Sequence, residues 1–305
     1  MSRKKKPGRS RARRRPKKSI LLDAFTQPDL DTWNRHGDAL QAAADRVYFD
    51  LERQRAAQYE ALCKSLNASA AIAIDVAGWV RVTEWRWNLT PLSAAGSLKG
   101  IGGRFNVGDE LDRARNQAFP CLYIAENVDT AYAEYFGGPL ESVHGLLSLS
   151  ELALRRPSSF TTFRLEGHLE QVFDLRTDSS LAEFANIIRK FDLSPSTRDA
   201  IRAANLPPRR IIREAPELWK WLLEPPSAWR LEPQAYGIPA ACQIFGRFVR
   251  DAGFEAILYP SQQGHGLCLA VYPENFSGST GRIQVVGDLP DGATITVLDK
   301  DNRTM

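Results

Sequence analysis

The sequence predicts an α+β protein in which helices flank a β-sheet. Between residues 79 and 272, many short apolar or alternating segments follow one another with few helices between them. This pattern favours an α+β sheet over a doubly wound parallel sheet. Before these segments, residues 38–66 repeat apolar side chains at helical spacing and predict one long N-terminal helix.

The remaining elements follow from strand patterns and from helix end signals. Asn127 is expected to cap a helix over 128–136 that ends at Gly137, and a second helix is expected over 241–253. The C-terminal tail predicts a hairpin with its turn at residues 290–292. The predicted strands are 79–85, 120–125, 142–150, 161–167, 171–177, 254–260 and 267–272.

Changes in composition divide the chain into four parts. A disordered basic arm covers residues 1–18, and a helical extension covers 19–70. The main domain covers 75–276 and contains a helical insertion at about 178–240, which is rich in Pro and Trp. The predicted C-terminal hairpin occupies 277–305.

The net charge of +4 conceals a marked asymmetry. The basic arm holds 11 of the 40 Lys and Arg residues and no acidic residue. The rest of the chain therefore carries 29 basic and 36 acidic residues, a net charge of −7. A segment of this composition cannot bury apolar surface and is expected to be disordered. Two interpretations stay open: a weak, sequence-independent contact with nucleic acid or another polyanion, and a solubilising or expression-related extension.

Several classes of protein are disfavoured by what the sequence lacks. No run approaches the roughly 20 apolar residues of a membrane-spanning helix, so no membrane contact is expected. The four cysteines are scattered without a Cys-x-x-Cys pair, which fits reduced thiols in the cytoplasm. No metal site is expected, because the four histidines show no ligand spacing: His36, His144, His168 and His265.

One glycine-rich stretch, GIGGRFNVGDEL at residues 100–111, suggests a phosphate-binding loop. Glycine lets the backbone approach a ligand closely, and the planar fork of Arg104 matches a phosphate group. The spacing matches neither a P-loop nor a dinucleotide-binding fingerprint. Taken alone, the stretch fits a loop between strands with a surface arginine better than it fits a phosphate-binding loop.

The surrounding segments give the loop a more specific context. The sequence has WVRV at 79–82, GGRFNVG at 102–108, LYIAENVDTAYAE at 122–134, FDL at 173–175 and GRFVRDAGFEAILYPS at 246–261, followed by LCLAVY. In this order, these segments resemble the RES domain family, over roughly residues 79–275. The resemblance implies a fold similar to ADP-ribosyltransferases, with a mixed β-sheet core.

The family resemblance also implies a function. RES domains are the toxin half of bacterial toxin–antitoxin pairs, and their partner is usually a small DNA-binding antitoxin that covers the active site. Family members break NAD⁺ at the nicotinamide–ribose bond by hydrolysis or phosphorolysis, or transfer ADP-ribose to a protein. NAD⁺ is thus implied as substrate, with no further cofactor.

The family's functional residues are carried over position by position. The first arginine falls on Arg81, with Arg86 as the alternative, and the second falls on Arg104. The aromatic residue falls on Tyr123, the glutamate on Glu134 and the serine on Ser261. The implied catalytic residues are Glu134, Arg104 and Ser261, and the implied NAD⁺-binding residues are Arg81, Gly103, Arg104, Asn106, Tyr123 and Ser261.

These residue types suit the chemistry. Two arginines match the two phosphates of NAD⁺, and a carboxylate such as Glu134 can stabilise an oxocarbenium-like ribose. Tyr123 can stack on nicotinamide or close the pocket, and Ser261 can bond ribose or phosphate. Two alternatives to NAD⁺ cleavage stay open. One is protein ADP-ribosylation in the same pocket, and the other is an inactive RES-like scaffold or nucleic-acid-binding protein that acts through the basic arm.

Overall fold

The computed structural model describes residues 27–69, 71–111, 116–137, 159–208 and 210–303. The basic arm, the strand predicted at 142–150 and His144 lie outside these ranges. The described strands are β1 (Ile72–Asp75), β2 (Val80–Glu84), β3 (Leu122–Ala125), β4 (Phe160–Asp174), β5 (Ala256–Pro260), β6 (Leu267–Val271), β7 (Arg282–Val286) and β8 (Val297–Leu298).

Nine α-helices lie within the described ranges. They are α1 (Gln27–Ala57), α2 (Tyr59–Leu66), α3 (Val128–Phe136), α4 (Ala182–Ile188), α5 (Pro195–Ala203), α6 (Ala215–Leu222), α7 (Pro226–Trp229), α8 (Leu231–Tyr236) and α9 (Ala241–Asp251). Together with the mixed sheet described next, they confirm the predicted α+β class.

The eight strands form one sheet in the order β2-β3-β6-β5-β4-β7-β8, and β1 pairs with β4. Strands β4 and β5 run parallel, while β4 pairs antiparallel with β1, β2 and β7, so the sheet is mixed. Because β2 pairs with both β3 and β4, the hydrogen-bonded path closes on itself through β4. The 15-residue β4 can reach this many partners because its two halves bond to different strands.

Two elements differ from the sequence prediction around β4. The sequence predicted two strands, at 161–167 and 171–177, but β4 is continuous. Gly167, which looked like the end of a strand, lies inside β4 with φ +131°, where a Cβ would overlap the carbonyl oxygen of Arg282 on β7. Its role is therefore a close approach of two backbones rather than a turn.

The N-terminal helix and the C-terminal hairpin also differ from expectation. The predicted helix over 38–66 begins earlier, at Gln27, and divides into α1 and α2 at Gln58. In the hairpin, the turn forms as predicted, with Ala293 N–H donating to the carbonyl of Pro290. The second strand is short because Thr294 N–H donates to the carbonyl of Leu89 instead.

Strands β3, β5 and β6 have two differently covered faces. One face carries Leu122, Ile124, Leu258 and Leu269, which form an apolar core with the inner residues of β4 and β7. The opposite face packs under α2, α9 and the loop at residues 100–108, called the glycine loop below. Its side chains are Tyr123, Ala125, Ile257, Tyr259, Cys268 and Ala270.

Helices α4 to α8 occupy the region that the sequence predicted to be a helical insertion, and they are called the helical segment below. Trp219 on α6 donates its indole N–H to the carbonyl of Leu175, just after β4. Leu218 and Leu222 of the same helix are buried in the core beneath the glycine loop. No helix among the described residues has both the length and the apolar character needed to cross a membrane.

A buried carboxylate joins α1 to the helical segment. Asp50 on α1 accepts hydrogen bonds from the backbone N–H of Ser194 and from Arg53, both at 2.6 Å. Burial alone would raise the pKa of Asp50, but the bonds from Ser194, Thr197 and Arg53 outweigh it and lower the pKa to about 2.

Replacing Asp50 with Asn should therefore loosen this junction. We expect Asp50→Asn to lower the free energy of unfolding by about 1–2 kcal/mol at neutral pH, because a charged acceptor of two bonds is lost. The wild-type advantage should persist above the ordinary carboxyl pKa of 3.8 and disappear as the pH falls towards 2. Urea unfolding over this pH range measures both effects. Asp38→Asn, at an exposed position of the same helix, is the control.

Candidate active site

Glu134 and Ser261 are 127 residues apart in sequence and in direct contact. The Ser261 hydroxyl donates to Oε1 of Glu134 at 2.6 Å, and the backbone N–H of Gln262 donates to the same oxygen at 3.1 Å. Both bonds use Oε1, so Oε2 is outside them. The structure thus brings the predicted carboxylate and the predicted serine together.

Local sequence signals place both residues. Asn127 accepts the N–H of Thr130 at 2.9 Å and caps α3, which presents Glu134 in its last turn before Gly137 ends the helix with φ +82°. Ser261 follows β5 directly. The loop after it folds back onto α3, because the N–H of Gly266 donates to the hydroxyl of Thr130 at 3.1 Å.

The Ser261 hydroxyl is fully used inside the protein. It donates its proton to Glu134 and accepts the backbone N–H groups of Gln263 and Gly264 at 3.1 and 2.8 Å. A hydroxyl has one proton and two lone pairs, so these three bonds exhaust it. Ser261 therefore orients the carboxylate of Glu134 here, rather than offering a free group to a ligand.

The glycine loop needs glycine at the positions where its backbone turns back on itself. Gly102 has φ +89°, and a Cβ at this position would overlap the carbonyl oxygen of Asn106. A Cβ at Gly108 would overlap the carbonyl oxygen of Gly100. Phe105 anchors the loop from within, because its side chain is completely buried and packs edge-on against Tyr259.

Asn106 and Tyr123 support the loop from inside it. The Asn106 carboxamide accepts bonds from Gly103 N–H and the Tyr123 hydroxyl, both at 2.9 Å, and donates to the carbonyls of Ser97 and Phe119. Because Asn106 is 0% exposed and makes four bonds, the expected NAD⁺ contact by its side chain does not fit this structure. It fixes the loop instead.

Tyr123 likewise has a role that the sequence did not indicate. Its hydroxyl donates to Asn106 and accepts the N–H of Phe105 at 2.9 Å. A Cβ at Gly103 would lie only 2.5 Å from this hydroxyl and 2.7 Å from the ring carbons. The hydroxyl end of the Tyr123 ring thus lies close against Gly103, where the loop leaves no room for a side chain.

Arg104 extends from the loop to the helical segment. Its side chain is buried, and Nη1 donates to the carbonyls of Leu222 at 3.2 Å and Glu224 at 2.7 Å, at the C-terminal end of α6. Both bonds use Nη1, so Nη2 and Nε are outside them. The guanidinium is thus fixed on one side.

The first family arginine makes no hydrogen bond to Glu134, Ser261, Arg104 or Tyr123 in the described part of the chain. Arg81 on β2 is buried, and its Nη2 donates to the carbonyl of Ser93 at 2.8 Å while its Nε has no hydrogen-bond partner. Burial lowers its pKa to about 10. Its register partner Phe163 belongs to the core on the opposite face from Tyr123. The alternative, Arg86, lies on the surface in an ion pair with Glu84.

Tyr259 and Cys268 lie between the predicted residues, and the sequence analysis missed both. They are register partners on β5 and β6 and are buried on the face that carries Tyr123. Burial raises the pKa of both groups. The Glu134 charge raises them further, and the Arg104 charge opposes it. The charges of Glu134 and Arg104 therefore both reach these two buried groups.

A third missed residue is Gln243 on α9. Its carboxamide is 0% exposed and bonds three carbonyls of the glycine loop. An uncharged polar residue within the otherwise apolar stretch ACQIF was the signal that could have identified it. The loop carbonyls that its carboxamide bonds lie about 140 residues earlier in the chain, and no local sequence pattern connects positions that far apart.

The described residues contain no group of three or more His, Cys, Asp or Glu side chains that could hold a metal ion. All four cysteines are free thiols. His265, in the loop after Ser261, is exposed.

Comparison with known proteins identifies a family. The RES domain model matches residues 79–290, which is more than half of the chain. No curated protein sequence matches. A chain in the crystal structure of the M. tuberculosis MbcT–MbcA toxin–antitoxin complex is similar in structure at 15% sequence identity and a TM-score of 0.39, covering 75% of this chain and 90% of that chain. At these values the likeness says nothing about function.

Substituting Gly103 tests the contact between the loop and Tyr123. We expect Gly103→Ala to lower the free energy of unfolding by about 1–3 kcal/mol, because a methyl group 2.5 Å from the Tyr123 hydroxyl forces the ring or the loop to move. Thermal unfolding measures this loss. Gly278→Ala, where a Cβ meets nothing within 4 Å, is the control. Equal stability of the two variants would contradict the tight contact.

Proposed function

The chain belongs to the RES domain family, and we propose that it is an enzyme that cleaves NAD⁺ at the bond between nicotinamide and ribose. The observation that carries the proposal is the contact between Glu134 and Ser261 in the region on which the charge of Arg104 also acts. A fixed carboxylate and a fixed guanidinium on one sheet face suit a substrate with a cationic reacting centre and an anionic pyrophosphate.

In the proposed reaction, the bond between ribose C1′ and the nicotinamide nitrogen breaks, and its electron pair leaves with nicotinamide. The ribose then carries oxocarbenium character, which a nearby carboxylate stabilises. Glu134 can supply this charge through Oε2, because Oε1 is already bonded to Ser261 and Gln262. Water, which loses a proton to the solvent, or phosphate then adds to C1′ and completes hydrolysis or phosphorolysis.

The supporting groups hold the two charges in place. Ser261 fixes the orientation of the carboxylate without being a nucleophile, since its only proton is donated to Glu134. Arg104 meets the pyrophosphate with Nη2 and Nε, while Nη1 stays on the carbonyls of Leu222 and Glu224. Planar guanidinium groups bind phosphate oxygens in this forked manner.

The same proposal includes a biological setting. As a RES domain protein, the chain acts as the toxin of a toxin–antitoxin pair, and its partner is a DNA-binding antitoxin protein that covers the site. NAD⁺ loss would then account for toxicity. Expression without a partner should arrest growth, and the arrest should depend on Glu134.

The central test is nicotinamide release by the purified protein. We expect Glu134→Gln to lower kcat about 100-fold or more, because the shape is kept while the stabilising charge is lost. Ser261→Ala should lower kcat about tenfold, because the carboxylate remains but one of its two orienting bonds is lost. Nicotinamide release is measured against NAD⁺ concentration, with and without added phosphate.

Two outcomes would count against the proposal. A wild-type kcat in Glu134→Gln would show that Glu134 takes no part in the reaction. If the wild type releases no nicotinamide with or without phosphate, it catalyses neither hydrolysis nor phosphorolysis of NAD⁺. Release that occurs only with an added protein would indicate ADP-ribose transfer instead. Glu126→Gln, just before the start of α3, is the matched control.

Arg104 should affect binding rather than the chemical step. A lysine carries charge but cannot bond both the α6 carbonyls and a phosphate as a fork. We expect Arg104→Lys to raise KM for NAD⁺ about 10- to 100-fold while kcat changes less than about threefold. Arg202→Lys, at an exposed position on α5, is the control. An unchanged KM would show that Arg104 serves only to join the loop to the helical segment.

A further inference from the structure

The glycine loop lies on one face of α9, and one side chain of that helix makes most of the polar contacts. Gln243 donates through Nε2 to the carbonyls of Ile101 at 2.8 Å, Gly103 at 3.0 Å and Asn106 at 3.0 Å. Its Oε1 accepts the N–H of Ala240 at 3.0 Å, at the start of the helix. The carboxamide is completely buried, so water cannot replace these bonds.

The next turn of α9 brings the loop close. A Cβ at Gly246 would overlap the carbonyl oxygen of Phe105, so glycine is needed there for the helix to touch the loop backbone. The Tyr272 hydroxyl donates to the same carbonyl at 3.2 Å. The backbone carbonyl oxygens on both sides of Arg104 therefore accept hydrogen bonds from Gln243 on α9 and from Tyr272, which follows β6.

We infer that Gln243 is the residue that positions the glycine loop. It holds the backbone on either side of Arg104 at a fixed height above the sheet, and so sets the distance of the guanidinium from Glu134. The inference rests on the proposed function for its kinetic meaning, while the placement of the loop itself can be tested without any substrate.

Only a carboxamide fits this position. The three loop carbonyls share the two N–H protons of the carboxamide, one of them in a bifurcated bond, and Ala240 N–H needs an acceptor. Methionine has a similar volume but supplies no donor, so three buried carbonyls would lose their partner. Glutamate supplies an acceptor for Ala240. It supplies a donor to the loop only when it is protonated, and its ionised form would face three carbonyl oxygens.

Hydrogen exchange tests the positioning directly. In Gln243→Met, amides in a peptide spanning residues 99–111 should exchange about tenfold faster or more, because opening the loop no longer costs the Gln243 bonds. Protection in strands β5 and β6 should stay within about twofold of the wild type. Unchanged protection of the loop, or an equal loss in the strands, would overturn the inference, since the second result indicates only a weaker core.

Steady-state kinetics provide a second test of the inference. Gln243→Met should raise KM for NAD⁺ about tenfold, with kcat changing less than about threefold, because the loop carries the binding arginine and not the carboxylate. Gln243→Glu should come closest to the wild type at acidic pH, where its single O–H can donate to the loop, and its KM should rise as the pH rises. Gln58→Glu, at an exposed position, should show no such pH dependence.

The outcomes separate this inference from the proposed function. If the wild type releases no nicotinamide, the proposed function fails, and the exchange experiment alone decides whether Gln243 positions the loop. If the wild type is active and Gln243→Glu has a pH-independent KM equal to that of the wild type, the positioning role fails while the proposed function stands.

Discussion

A loop without regular secondary structure must still find partners for its backbone groups, and this requirement organises the candidate site. Buried carbonyl and N–H groups that lose water cost free energy unless they are bonded. In the glycine loop, Gln243 and Tyr272 take the carbonyls, while Asn106 and Tyr123 take the N–H groups. Three of these four partners, Gln243, Tyr272 and Tyr123, are side chains from other parts of the fold, so the loop can form only once the sheet and α9 are assembled.

The sheet register makes room for this arrangement. On the face below the loop, β3 and β6 present Ala125, Cys268 and Ala270, which are small, and the larger rings of Tyr123 and Tyr259 lie on either side. These small side chains leave space for the glycine loop and Arg104 to pack close to the sheet. At the end of β5 the chain continues into the turn that carries Ser261, so the same register places the carboxylate of Glu134 beside that face.

The sequence predicts the parts of this architecture that local chemistry decides. Asn127 and Gly137 set the ends of α3, and the position of Ser261 after a buried strand follows from the apolar run of β5. What it cannot supply is the choice of partners across long separations. Asn106 looked like a ligand-binding residue because it belongs to the motif, yet all its bonds are internal. Gly167 looked like the end of a strand, yet it lies inside the continuous strand β4 and lets the backbones of β4 and β7 come close together.

The electrostatics of the buried arginines suggest why such a site would attract an anion. A buried cation without a carboxylate partner is costly, because it has given up water for weaker compensation. Within the described residues, neither Arg81 nor Arg104 forms an ion pair, and each bonds only backbone carbonyls. For Arg104 these carbonyls end α6, where the helix dipole is negative, so compensation is partial. A pyrophosphate bound at Arg104 would supply the missing negative charge. Residues 19–305 carry a net charge of −7, yet an anion could still bind beside this buried cation.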